Sequence, residues 1–368
     1  MNWSQWSRGY RLIALIVIYA VVCFLILETG ARFLLYVEWR REIRSSHGLH
    51  IVESVLGYRL APGRRAWGAT VNDLGYRGPS FPLDKPKGTF RIVCVGNSIT
   101  FGEAASCDST TYPAVLGQRI RERGEIPEPV EVINAGVLGY TSHQSLLELK
   151  TRLIALRPDL VIFCTGWNDM TFSKYIGWTR DMTWEDPWHF ETLSGSYAIW
   201  LLDESLLHVP FSVKPAPLQA FADNLEKVVS LCQENDIALA FLDPPTIYSR
   251  NMTPSEEKKC RINYFVRGEI PIYQAYMSTM KETAQRRNIR VFDSGLTYAV
   301  SGKDNLIVDV CHPNDAGYRY MIGVLYPQVI DEVRKEIARA KHPDNVILND
   351  HQREGAPVSS TRVLAGNL

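Results

Sequence analysis

Four short stretches of the chain hold residues that could do chemistry together. GNSIT contains Ser98, NAGVLGYTS contains Gly136, GWND contains Asn168, and DVCH contains Asp309 and His312 three residues apart. A serine hydroxyl is a poor nucleophile until a base takes its proton, and a histidine titrating near neutrality suits that task. Asp309 can accept the other imidazole N–H and fix the tautomer. Negative charge developing on a carbonyl oxygen then needs donors aimed at one point: the Ser98 amide, the Gly136 amide and the Asn168 side-chain amide. Ser98 also has a plainer reading, since a serine just past a strand commonly caps the following helix.

These residues need elements to hold them. Residues 92–95, Ile-Val-Cys-Val, form a β-branched run that stops at Gly96 and reads as a fully buried strand. From there the pattern predicts strand 91–96, helix 110–123, strand 130–134, helix 142–156 and strand 159–164. It resumes with helix 217–235, strand 237–242, helix 271–287, strand 289–293 and helix 314–340. Five strands alternating with helices predict an α/β fold, a parallel sheet covered on both faces. Ser98, Gly136 and Asn168 each follow a strand, and Asp309 with His312 precede the last helix, so all fall on the sheet edge where such folds bind ligands.

At these positions the chain resembles the SGNH hydrolase superfamily, the GDSL-like esterases, named for Ser, Gly, Asn and His in four blocks. The likeness covers about residues 90–340. It implies a flavodoxin-like three-layer α/β/α sandwich with a five-stranded parallel sheet, a Ser98–His312–Asp309 triad, and an oxyanion hole from Ser98, Gly136 and Asn168. It also implies a serine esterase acting on small acyl esters, often acetyl groups on carbohydrate. Acyl transfer to an envelope polysaccharide is the variant reading, and a membrane-tethered binding protein that lost its chemistry is the second. One position departs from the pattern: Asn97 stands where the family usually has Asp, which keeps shape and hydrogen bonding but not charge. Asp304 and Asp315 are rival partners for His312, Asp169 reads as a helix cap, and His143 as a surface or capping residue.

Composition narrows the partners. Lys plus Arg and Asp plus Glu both number 40, so nothing marks a nucleic-acid binder. No Walker sequence, dinucleotide fingerprint or histidine-rich metal pair is present, and no cofactor or metal is expected. The seven cysteines lack zinc or redox spacing. Cys94 and Cys164 read as small buried hydrophobes, while Cys107 and Cys311 could pair in an oxidising compartment.

Residues 12–27, LIALIVIYAVVCFLIL, carry no charge, and extended to residue 31 they predict an uncleaved membrane anchor, there being no small-x-small cleavage site. Arginines 32, 40, 41 and 44 after it outnumber Arg8 and Arg11 before it, which points the large domain to the cytoplasm. Membrane-anchored proteins of the resembled type face the envelope, and the reading adopted is the periplasmic or extracellular side. The organisation expected is an anchor and juxtamembrane helix at 1–45, an irregular preface at 46–89, the hydrolase-like domain at 90–341, and a disordered tail at 342–368. Within the domain an insertion at 170–215 carries Trp178, Trp184, Trp188 and Trp200, read as a small hydrophobic subdomain or an aromatic substrate groove.

Overall fold

A computed structural model describes residues 8–44, 48–173, 213–262 and 270–341. Most of the tryptophan-rich insertion and the whole 342–368 tail lie outside the described residues. The chain starts with α1, Arg8–Arg44. Its Arg8–Ala31 portion, 24 residues with an 18-residue stretch of mean hydropathy 2.7 in which nothing is buried, is the one described helix long and apolar enough to cross a membrane.

Two small antiparallel hairpins follow, β1 (His50–Glu53) with β2 (Gly57–Leu60) and β3 (Arg65–Ala66) with β4 (Ala69–Thr70). The expectation of an irregular preface is therefore corrected. Strands of two to four residues are too short for alternation to register. They are fixed instead by tertiary contacts: Leu49, Leu56, Tyr58, Leu60, Ala69 and Val71 form a buried cluster with Phe101, Val137 and Tyr140 of the following fold.

The α/β part comprises β5 (Phe90–Gly96), α2 (Ser98–Phe101), α3 (Tyr112–Arg123), β6 (Val130–Gly136), α4 (Ser142–Glu148), β7 (Leu160–Cys164) and α5 (Trp167–Ser173). It continues with α6 (Pro215–Glu234), β8 (Ala238–Asp243), α7 (Pro254–Ile262), α8 (Ile270–Arg287), β9 (Arg290–Asp293) and α9 (Asp315–Lys341). The five long strands form one parallel sheet in the order β6-β5-β7-β8-β9. Helices α3 and α9 pack together on one side, and α4, α5, α6 and α8 form the other layer. Every residue of β5 and β7 is buried, as a doubly covered parallel sheet requires. The expected α/β/α sandwich is thus the observed one.

Two local details depart from the sequence pattern. The predicted 142–156 helix is α-helical only through Glu148, then widens into a π turn and ends in a tight 3-10 turn at Leu156. Helix α7 was not foreseen, although its signal is in the sequence. Thr253 and Glu256 form a capping box, the Glu256 amide donating to Thr253 Oγ1 at 3.2 Å and the Thr253 amide to Glu256 Oε2 at 2.7 Å.

Candidate active site

The order β6-β5-β7 means that the chain turns to one side of β5 and then to the other, so a crevice opens at the carboxyl ends of these three strands. Register brings their ends level, with Gly96 opposite both Gly136 and Cys164. Backbone crowds closely here. A Cβ on Gly96 would collide with the Cys164 carbonyl, and one on Gly136 with the Thr100–Phe101 backbone. Glycine at both places is a packing requirement.

Ser98 opens the four-residue helix α2, and the cap itself is Asn97, whose Oδ1 accepts the Ile99 amide at 3.0 Å. The sequence question about Ser98 is answered here: capping falls to its neighbour, and the Ser98 hydroxyl faces His312 Nε2 at 2.7 Å. Asn97 Nδ2 is buried with no partner among the described residues. It thus keeps the cap without bringing the charge of a carboxylate.

On the other side of the imidazole, Nδ1 donates to Asp309 Oδ2 at 2.6 Å. Asp309 Oδ1 accepts the Cys311 and His312 amides, both at 2.9 Å, so the loop's own backbone locks the carboxylate. Burial works against its charge, but the His312 hydrogen bond and charge and the two amides bring the carboxyl down to about 2. Of the rivals, Asp315 is engaged elsewhere, taking the Ser106 amide at 2.8 Å and hydroxyl at 2.5 Å, and the Nδ1 position that Asp304 would need is filled by Asp309.

A further carboxylate, unnoticed in the sequence, approaches the same ring: Glu103 Oε2 lies 3.2 Å from His312 Nε2. Burial disfavours the imidazolium, but the Cys311 sulfur, Asp309 and Glu103 around the ring overcome it and raise the His312 pKa well above 6.5. Glu103 sits five residues after Ser98, beyond the Gly102 cap of α2; only the turn's geometry brings it back to the ring.

The expected oxyanion donors fare differently. The Ser98 amide is at the first position of α2, where helical amides have no internal partner. Asn168 Nδ2 gives one hydrogen to the Tyr140 carbonyl at 2.9 Å, which leaves its second N–H available. Gly136 requires correction: its amide donates to Asn134 Oδ1 at 3.0 Å and so is already committed. Three residues on, Val137–Tyr140 form a turn closed by the Tyr140 amide on the Val137 carbonyl at 3.3 Å, with Gly139 at φ 77°. Among the described residues the Gly139 N–H has no hydrogen-bond acceptor.

Asp169 caps, but from a distance. Its half-buried carboxylate accepts the Ser142 amide and hydroxyl at the start of α4, and desolvation raises its pKa. His143 lies in the first turn of α4, half-buried. All seven cysteines are free thiols, so the possible Cys107–Cys311 bond is not made. Asp309, Cys311 and His312 bring three potential ligand atoms within 4.8 Å, the one such grouping among the described residues. Burial pushes the Cys311 thiol up to about 11.

A family model described as GDSL-like Lipase/Acylhydrolase matches residues 94–320, more than half of the chain. The chain belongs to this family. Among solved structures it is similar to the lipase/acylhydrolase from Enterococcus faecalis, at 18% identity over 65% of this chain and 95% of that one, with a TM-score of 0.41. It is similar also to a GDSL-like lipase from Bacteroides thetaiotaomicron, at 18% identity over 66% and 88%, TM-score 0.39. A variant of an acetyl-xylooligosaccharide esterase from Geobacillus Stearmophilus shares 15% identity over 64% and 91%, TM-score 0.41. No curated protein matches the chain.

Proposed function

We propose that this family member is a serine esterase that removes small acyl groups, acetyl foremost, from carbohydrate through an acyl-Ser98 intermediate. The observation that carries the reading is the unbroken relay from Ser98 Oγ through His312 to Asp309, at 2.7 and 2.6 Å. In it, neutral His312 takes the Ser98 proton at Nε2 as Oγ attacks the ester carbonyl, and the carbonyl π electrons move onto oxygen. The imidazolium, held by Asp309, then gives its proton to the leaving alcohol as the carbon–oxygen bond breaks. Water repeats the cycle on the acyl-serine and releases the acid. The oxyanion is met by the Ser98 amide, the second Asn168 N–H and, in place of Gly136, the Gly139 amide.

The carbohydrate preference rests on the four tryptophans between residues 178 and 200, which suit stacking on sugar rings. An anchor through residues 12–31 would tether the domain at a membrane, on the periplasmic or extracellular side, where polymeric acylated sugars are found.

The test compares full-length wild type and Ser98→Ala in detergent on p-nitrophenyl acetate, then on acetylated xylo- and manno-oligosaccharides. Turnover by wild type alone supports the esterase. Acyl groups appearing on an added sugar rather than as free acid would turn it into an acyltransferase. A wild type inert to esters and to a fluorophosphonate would overturn the reading in favour of a binding protein. A reporter at the carboxyl terminus active only in the cytoplasm would reverse the sidedness.

A further inference from the structure

The hairpins ahead of the α/β fold lie outside the residues 94–320 that match the family, yet one of their side chains reaches the oxyanion turn. Tyr58, on β2 and 1% exposed, donates its hydroxyl to the Leu138 carbonyl at 2.8 Å. Tyr140 returns the contact from the far end of that turn, donating its hydroxyl to the Tyr58 carbonyl at 2.7 Å, and the two rings meet edge to face at 5.4 Å.

The Leu138 carbonyl belongs to the same peptide unit as the Gly139 N–H. With φ positive at Gly139 but not at Leu138, and the Tyr140 amide bonded to the Val137 carbonyl, Val137–Tyr140 is a type II turn. The turn's central peptide is the one between Leu138 and Gly139, and such a unit has two low-energy settings that differ by a flip. In a trans peptide C=O and N–H point in opposite directions. A carbonyl held by Tyr58 inside the buried cluster therefore turns the Gly139 N–H out of it.

We infer that Tyr58 is a positioning residue for the esterase: its hydroxyl holds the Leu138–Gly139 peptide in the orientation that presents the Gly139 N–H to the oxyanion. The inference rests on the reading of Ser98 as a nucleophile. Its physical content is twofold. The hydrogen bond selects one setting of the peptide before substrate arrives, so no reorganisation is needed during the reaction. Accepting a hydrogen bond at the carbonyl also polarises the amide and strengthens its N–H as a donor. The segment joining the apolar helix to the catalytic fold thereby becomes part of the catalytic apparatus.

The test uses the full chain in detergent and compares wild type, Tyr58→Phe and Glu53→Ala. Glu53 is the matched control, because its Oε2 fixes the turn of the same hairpin by accepting the Val55 and Leu56 amides at 3.0 and 2.8 Å without touching the Val137–Tyr140 turn. Tyr58→Phe removes only the hydroxyl. Its expected effect is a fall of about tenfold in kcat on p-nitrophenyl acetate and in the rate of Ser98 labelling by a fluorophosphonate, with KM within about twofold. The pH profile of kcat/KM keeps its position, since His312 is untouched. Glu53→Ala is expected to lower the melting temperature and keep kcat. Tyr58→Phe with unchanged kcat and labelling would overturn the inference, as would equal losses in both variants, which would reduce Tyr58 to a packing role. Failure of the underlying reading looks different: Ser98→Ala would then match wild type, and no labelling of Ser98 would occur in any variant.

Discussion

The turn after β5 and the hairpins that precede it meet at the same short helix, α2, and are built from opposite kinds of sequence. The Ser98 turn hangs from a seven-residue strand buried along its whole length, and its geometry is set by two glycines that let backbones touch. The hairpins have strands of two to four residues and are held by single side chains. Tyr58 reaches the Leu138 carbonyl. Arg77, with 1% of its side chain exposed, donates Nη1 to the Phe101 and Gly102 carbonyls at 3.0 and 2.6 Å and pairs with Asp108 at 2.9 Å. Arg77 also lies 4.7 Å over the Phe101 ring. One region is specified by periodic burial, the other by point contacts. Sites placed by the first kind tolerate drift in their surroundings, whereas those trimmed by the second depend on individual residues.

The largest predicted effect lies in the strand-borne region. Ser98→Ala is expected to lower ester turnover on the order of 10⁶-fold while the protein stays folded, by p-nitrophenyl acetate kinetics alongside circular dichroism. Next comes Asn168→Ala, expected to cost about 100-fold to 1000-fold in kcat with KM little changed. A loss that fell wholly on KM would take Asn168 out of the oxyanion hole.

The point-contact region is expected to respond in stability. Arg77→Met removes the cation shared by the Phe101 and Gly102 carbonyls and Asp108, leaving Phe101 only its Asn134 bond and Asp108 only the Thr70 amide, and about 3 kcal/mol should be lost in urea unfolding. A melting curve matching wild type would mean that the hairpins are ornamental and the contrast drawn above is wrong.

The subtlest effect is on pH. His312 must be neutral to accept the Ser98 proton, and its raised pKa puts the acid limb of kcat/KM above pH 6.5, with activity rising through it as pH increases. Glu103→Gln removes one of the negative charges that favour the imidazolium, so the limb should move to lower pH. A limb that stays in place would assign the shift to Asp309 and Cys311 alone.

How much of this could be read from sequence follows the same division. The sheet was legible because its strands are long, apolar and regularly spaced by helices, and the convergence of Ser98, His312 and Asp309 because they occupy the edge positions such a sheet exposes. Gly136 was misassigned for a definable reason. Two glycines three residues apart both leave the sheet, and sequence alone does not say which has its amide spent; the Asn134 side chain decides it. Glu103 escaped notice because nothing in its spacing from His312 foretells a 3.2 Å approach across a turn. Tyr58 lies 80 residues before its acceptor, in strands too short to announce themselves. Helix α7 was different, since Thr253 and Glu256 had the spacing of a capping box.

The most direct test of the central claim is intact-mass and peptide-mapping spectrometry of the full chain after reaction with a fluorophosphonate. The account predicts one adduct per molecule, on Ser98, formed at a rate that rises through the His312 limb and abolished by Ser98→Ala. No adduct on the folded wild type, or one placed on another residue and surviving Ser98→Ala, would contradict it.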